Sequence, residues 1–367
     1  MSLNLSKNLL VITIVMANSS VNAATQQQIS DEINGISPSS TVLPIRDVNA
    51  HIAAINAIGS EGVLLIPEST NDRVMAFDPT TGDLIDADFI PADPTNLSTP
   101  IHAILANDNA SILVSDQLDD IVQQYDFDGN FLGNFAPAGG VDNTVLDNAR
   151  GISLDETGNL LVSIGGGVND DAIARFDAAG IYTGNFVANG LGGLNSPFDV
   201  LFTNNGVLVG GITSDAIHQY DNSGAFIGNL TAIDTFPEQI FETSSGNILV
   251  ANFSGSQEGV VEYDAAGTLI DIYDPPALGG YRGVYELPNG NILTTNGGGV
   301  HEIDRLGNLV ETKISGVSAR FIEFVRPQVL PPAIIPSLST YSLLLLIIGL
   351  IGSLLFVKPN FHRLMKD

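Results

Sequence analysis

The stretch Ile121-Val122-Gln123-Gln124-Tyr125-Asp126-Phe127-Asp128-Gly129-Asn130-Phe131-Leu132-Gly133-Asn134-Phe135 decides the fold. Two alternating segments, the pattern of half-buried antiparallel strands, flank a turn that opens on Asp and closes on Gly. The Asp126 carboxylate can accept from backbone N–H groups just ahead of it, and Gly129 supplies the positive φ of a type I turn with a bulge. The phrase is a hairpin.

It recurs as Phe77-Asp78 to Gly82, Phe176-Asp177 to Gly180, Tyr220-Asp221 to Gly224, Tyr263-Asp264 to Gly267 and Ile303-Asp304 to Gly307. The six Asp residues are spaced by 48, 51, 44, 43 and 40 positions, a period that suits a four-stranded blade. A second turn lies upstream in most copies, as in Gly158-Asn159, Gly206, Gly246-Asn247 and Gly290-Asn291, so each unit has strands A to D. The A strands begin at Pro100, Ala149, Pro197, Pro237, Tyr281 and Ala319. The last, Arg320 to Val325, has no B, C or D strand after it. It is expected to complete blade one and close the ring, hiding the free edges of an open propeller. A competing reading gives blade one its own inner strand from His51 to Ala57. The fold class is all-β, a six-bladed β-propeller of four-stranded antiparallel blades followed by a C-terminal transmembrane helix.

Val114-Ser115-Asp116, Ile121 to Asp126 and Gly129 to Phe135 resemble an NHL repeat, with five looser copies, over about residues 61 to 325. Such a resemblance implies a binding platform, with a minority of related propellers acting as metal-dependent lactonases, esterases or lyases. The chain has no Trp, so a Trp-Asp repeat is excluded.

The chain ends add a location. Residues 1–23 carry Lys7, an apolar run and the small-residue exit Val21-Asn22-Ala23, the pattern of a secretory signal. Residues 24–60 form a lead-in, 61–326 the propeller and 327–340 a Pro-rich stalk. Residues 341–357 are an uncharged run, about 26 Å long as a helix, and 358–367 are a basic tail that the positive-inside rule places in the cytoplasm. Ile335-Pro336-Ser337-Leu338-Ser339, the apolar run and the basic tail together resemble an IPTL-type sorting signal, with Ser337, Tyr341 and Ser342 departing from its usual letters. That resemblance implies an exosortase-like processing enzyme, and inner-membrane anchoring toward the periplasm or display at the cell surface.

The chain has no Cys, which excludes disulfides and thiolate chemistry. Its net charge of -28 repels nucleic acid and anionic lipid headgroups. Remaining partners are a protein, a glycan or a small anionic ligand, with the membrane reached through the C-terminal helix.

An antiparallel meander puts the A–B and C–D turns on one face, here called the hairpin face, and the B–C and D–A loops on the other, the loop face. Aligned B–C positions carry Asp72, Asp120, Asp171, Asp215 and Glu258, with Asp119 and Asp170 doubling two of them. These hard oxygen donors suit Ca²⁺, the one cofactor suggested, unless they satisfy backbone groups instead. The residues opening the A strands read Ile101, Arg150, Phe198, Glu238, Arg282 and Arg320. Arginines clustered in an acidic chain can grip a carboxylate or phosphate, with Phe198 as an aromatic wall. Arg150, Phe198, Glu238, Arg282 and Arg320 are therefore the candidate ligand-binding residues, although structural ion pairing is an alternative. No catalytic residue is assigned. A lactonase-like site would draw on Asp199, Glu238 and His102, and neither a His-x-x-x-His nor a Gly-x-Ser-x-Gly motif is present. The leading functional reading is a binding module using the loop face. The alternatives are a divalent-metal-dependent lactonase or lyase, and a structural envelope protein.

Overall fold

The computed structural model describes residues 46–328. Blade 1 contains β1 (Val63–Glu68), β2 (Arg73–Phe77) and β3 (Leu84–Ile90). Blade 2 contains β4 (Pro100–Leu105), β5 (Ser111–Asp116), β6 (Ile121–Asp126) and β7 (Phe131–Ala136). Blade 3 contains β8 (Ala149–Leu154), β9 (Leu160–Ile164), β10 (Ala172–Phe176) and β11 (Tyr182–Val187). Blade 4 contains β12 (Pro197–Thr203), β13 (Gly206–Gly211), β14 (Ala216–Tyr220) and β15 (Phe226–Ala232). Blade 5 contains β16 (Pro237–Glu242), β17 (Ile248–Asn252), β18 (Gly259–Tyr263) and β19 (Leu269–Tyr273). Blade 6 contains β20 (Gly283–Glu286), β21 (Ile292–Asn296), β22 (Gly299–Ile303) and β23 (Leu309–Ser315), and β24 (Glu323–Val325) follows it.

The strands form six four-stranded antiparallel sheets, the first ordered β24-β1-β2-β3. Glu323 pairs with Leu65 and Val325 with Val63. The ring is therefore closed by the last strand, and a sheet edge that would otherwise template foreign strands is covered. Residues His51 to Ala57 are not a strand. They lie in α1 (Val48–Ser60), which the Asp47 side chain caps by accepting from the N–H groups of Asn49 and Ala50. The helix buries His51, Ala54 and Ile58, and its His51 Nδ1 lies 3.0 Å from Asp86 of β3.

Each C–D turn behaves as its sequence requires. Asp126 Oδ1 accepts from Asn130 N–H at 2.8 Å, the Gly129 N–H donates to Asp126 O, and Gly129 has φ 77°. Asp177, Asp221, Asp264 and Asp304 accept in the same way from the residue four positions on. The apolar core lies between blades, in six clusters that join each blade to the next around the ring. A seventh, of Ile101, Phe198 and Phe321 with Ile212 and Phe236 packed against it, fills the axis.

The expected signal segment, sorting motif, 341–357 helix and basic tail lie outside the described residues. Among those described, no helix is long and apolar enough to cross a membrane.

Candidate functional site: the two mouths of the channel

Four inner strands carry irregular pairing near their starts, between Pro100 and His102, Ala149 and Ile152, Pro197 and Asp199, and Pro237 and Ile240. A bulge disturbs strict alternation. Consecutive residues such as Phe198 and Asp199, or Glu238 and Gln239, are consequently all buried along the channel.

At the loop face the structure brings together the arginine column expected from sequence. Glu238 is 2 % exposed and interacts electrostatically with Arg282, Arg320 and Arg150. Burial pushes its carboxyl up to about 7, against the pull of the three guanidinium groups. Burial likewise pushes Arg150 and Arg320 down to about 10. For Arg320 the neighbouring Arg282 adds to that fall, and Glu238 opposes it in both.

Neutral oxygens hold each guanidinium. Arg150 Nη1 donates to Ser196 Oγ and to Pro197 O, both at 2.9 Å, and its Nε donates to Asn148. Arg282 Nη1 donates to Ser318 Oγ at 2.6 Å, and Arg320 donates through Nε and Nη2 to Ser69 Oγ at 3.2 and 3.1 Å. Arg150 also lies 4.8 Å over the Phe198 ring and Arg282 5.7 Å over Phe253. The aromatic wall expected at Phe198 is thus a cation–π partner. Glu238 Oε2 and Arg282 Nε are buried without a hydrogen-bond partner. Such orphaned groups cost free energy unless something meets them.

The acidic crown disperses. Asp72, Asp120, Asp171 and Asp215 all sit at positive φ, between 48° and 56°, a conformation that Asp tolerates better than most residues. Asp120 accepts from Asn148 N–H at 2.6 Å, Asp171 from Ser196 N–H at 2.7 Å, and Glu258 from Gly280 N–H at 2.9 Å. Each ties a B–C loop to the lead-in of the next blade, the backbone-satisfying alternative for this position. Burial and then Asp116 raise Asp119, while Asp170 accepts from Asn189 through its backbone oxygen. Burial, with Asp116, Glu68 and Asp119 nearby, pushes Asp72 up to about 6. Among the described residues no three His, Asp or Glu side chains gather into a metal-holding group.

The lactonase-like trio is also divided. Glu238 belongs to the arginine mouth, whereas His102 and Asp199 line a cavity of about 180 Å³ toward the hairpin face, with Gln239 and Glu323. Ring contacts run Phe198 to Phe321 at 5.8 Å and Phe321 to His102 at 5.2 Å, so the aromatic pair stands between the two mouths. Asp199 accepts from Val200 and Ile240 N–H groups, and burial pushes it up to about 6. Glu323 and Gln239 did not stand out in the sequence. The available signal was the polar second position of the A strands, His102, Asp199 and Gln239, where Gly151 and Gly283 stand in other blades.

No family model matches the chain, and no curated protein matches it. Among solved structures it is similar to one in a nidogen/laminin complex, with 13% identity and TM-score 0.58 over 72% of this chain and 99% of that one. A Bacteroides caccae protein of unknown function is 17% identical at TM-score 0.52, over 72% of this chain and 99% of that one. A gluconolactonase from Xanthomonas campestris is 18% identical at TM-score 0.50, over 61% of this chain and 78% of that one. At these identities the likeness is one of fold.

Proposed function

We propose that this propeller is a binding module that captures a small anionic ligand at the loop-face mouth of its channel, through Arg150, Arg282 and Arg320. The observation that carries this reading is that all three guanidinium groups are positioned by serine hydroxyls, with Glu238 among them and Asp171 the other carboxylate acting on Arg150. Three arginines thus meet two carboxylates within a chain of net charge -28. Arginines held by neutral acceptors keep their charge for a ligand, and their planar forks suit carboxylate or phosphate. The proposal includes export and tethering by the segments outside the described residues, in a chain of NHL type. Gln328, the last described residue, is bonded to Asn109 in the A–B turn of blade 2. The last described residue therefore lies on the hairpin face, opposite the arginine mouth.

The test is titration of inorganic phosphate and of citrate into the wild type and into a variant with Arg150, Arg282 and Arg320 all replaced by Gln. Binding should vanish in the variant with its cooperative melt retained. Equal binding by the two proteins would refute the site, and unfolding of the variant would assign the arginines a structural role. Turnover of a lactone panel that is lost in Glu238→Ala or Asp199→Ala would replace this reading with a catalytic one.

A further inference from the structure

We propose that the hairpin-side end of the channel is a second, chemically opposite site, which takes a small organic cation, a primary ammonium on a short aliphatic stem. The cavity there has a volume of about 180 Å³, well above the ~10–15 Å³ that one water needs on the same measure. The Phe198–Phe321 pair separates it from the arginines.

Its polar groups leave unspent acceptors and little spare donor capacity. Asp199 is 3 % exposed, and each of its oxygens accepts one backbone N–H, at 2.8 Å from Val200 and 2.9 Å from Ile240, which leaves further lone pairs. His102 accepts the Ile152 N–H on Nδ1 at 3.2 Å, so the ring proton sits on Nε2, which faces Glu323 Oε2 at 3.3 Å. Gln239 gives its oxygen to the N–H groups of Val284 and Ile322 and donates to Ile322 O. No Lys or Arg lines the cavity. A buried carboxylate, Asp199, and a part-exposed one, Glu323, thus line a recess of mixed polarity without a Lys or Arg, and burial of the first costs free energy that an entering cation would offset.

The walls select the shape of that cation. Ile104, Leu105, Ile152, Leu154, Val200 and Phe324 offer methyl and ring surface to a methylene stem. An ammonium head carries three donors for the free lone pairs of Asp199 and Glu323. The Glu323 side chain is 39 % exposed, so solvent reaches its carboxylate. A divalent ion fits less well, because the one imidazole presents its protonated nitrogen and two carboxylates alone are a poor hard-cation set.

The experiment titrates n-butylammonium into the full chain by calorimetry, with butyrate and n-butanol as probes of the same size. We expect heat from butylammonium alone. Glu323→Gln should weaken its binding about tenfold with an unchanged melting temperature, and Leu154→Phe, which narrows the cavity without altering charge, should also weaken it. Equal binding of butyrate or butanol, or undiminished butylammonium binding in both variants, would overturn the proposal. So would calcium displacing butylammonium at matched concentration, which would mark an inorganic cation site.

Discussion

Gly151 stands against the carboxylate of Asp199. A Cβ at residue 151 would lie 2.6 Å from Asp199 Oδ1 and 2.7 Å from Phe198 O, closer than real side chains approach. Asp199 carries one of the bonds that lace neighbouring blades together at the axis, reaching Ile240 N–H of β16. Gly151→Ala should therefore displace an inter-blade contact as well as crowd a backbone oxygen. We expect a loss of about 1–3 kcal/mol in urea unfolding, the usual cost of overpacking.

Two fully buried channel carboxyls, both raised, give stability a direction with pH. Glu238 titrates at about 7 and Asp199 at about 6 in the fold, above their ordinary values of 4.5 and 3.8. Between those ordinary values and the folded ones, the native state holds more protons than the unfolded chain, so stability falls as pH rises through that window. Glu238 alone corresponds to roughly 3 kcal/mol by pH 8. Melting temperature should be higher at pH 5 than at pH 8, and Asp199→Asn should flatten the lower part of the slope. A melting temperature that rises across this range would contradict the assignment.

Phe321 belongs to the connection into the closing strand and lies fully buried between His102 and Phe198. Its replacement by Ala removes a large side chain from the axis and from the segment that closes the ring. A loss of about 3–5 kcal/mol is expected in chemical denaturation, as for other buried Phe truncations.

Asp170 and Asp171 are adjacent carboxylates with separate fates. Asp171→Ala leaves the Ser196 N–H without its acceptor and should cost about 1–2 kcal/mol. Asp170→Ala leaves the Asn189 bond to the residue 170 backbone in place and should stay within about 0.5 kcal/mol. Equal losses from the two, or a calcium-dependent melting shift abolished by either, would restore the pair as a metal site.

Blade number and ring closure were legible because both depend on short-range chemistry. Asp126 to Gly129 specifies its turn within four residues, and an unaccompanied inner strand after residue 319 has one natural place to go. The arginine column was legible for the same reason, since Arg150 lies at the start of its strand and Arg282 and Arg320 stand in the short lead-ins to theirs. The second mouth was hidden by the bulges. Alternation separates Glu238 from Gln239 by face, and only irregular pairing brings consecutive residues to the channel. The helix before blade 1 escaped because Val48 to Ser60 has no charge pattern to mark a solvent face, although Asp47 was a readable cap. The crown residues were located correctly on their loops, but an Asp that supplies positive φ and an N–H acceptor looks the same in sequence as one that awaits a cation.

Because Glu323 to Val325 supplies the inner strand of the first blade, synthesis delivers the keystone after every other arch stone. Until those three residues emerge from the ribosome or a translocation pore, Val63 to Leu65 presents a bare hydrogen-bonding rim while five complete sheets wait behind it. The nascent propeller exposes that rim until its last strand is made, and products truncated before residue 323 would be candidates for aggregation even though most of their blades are intact.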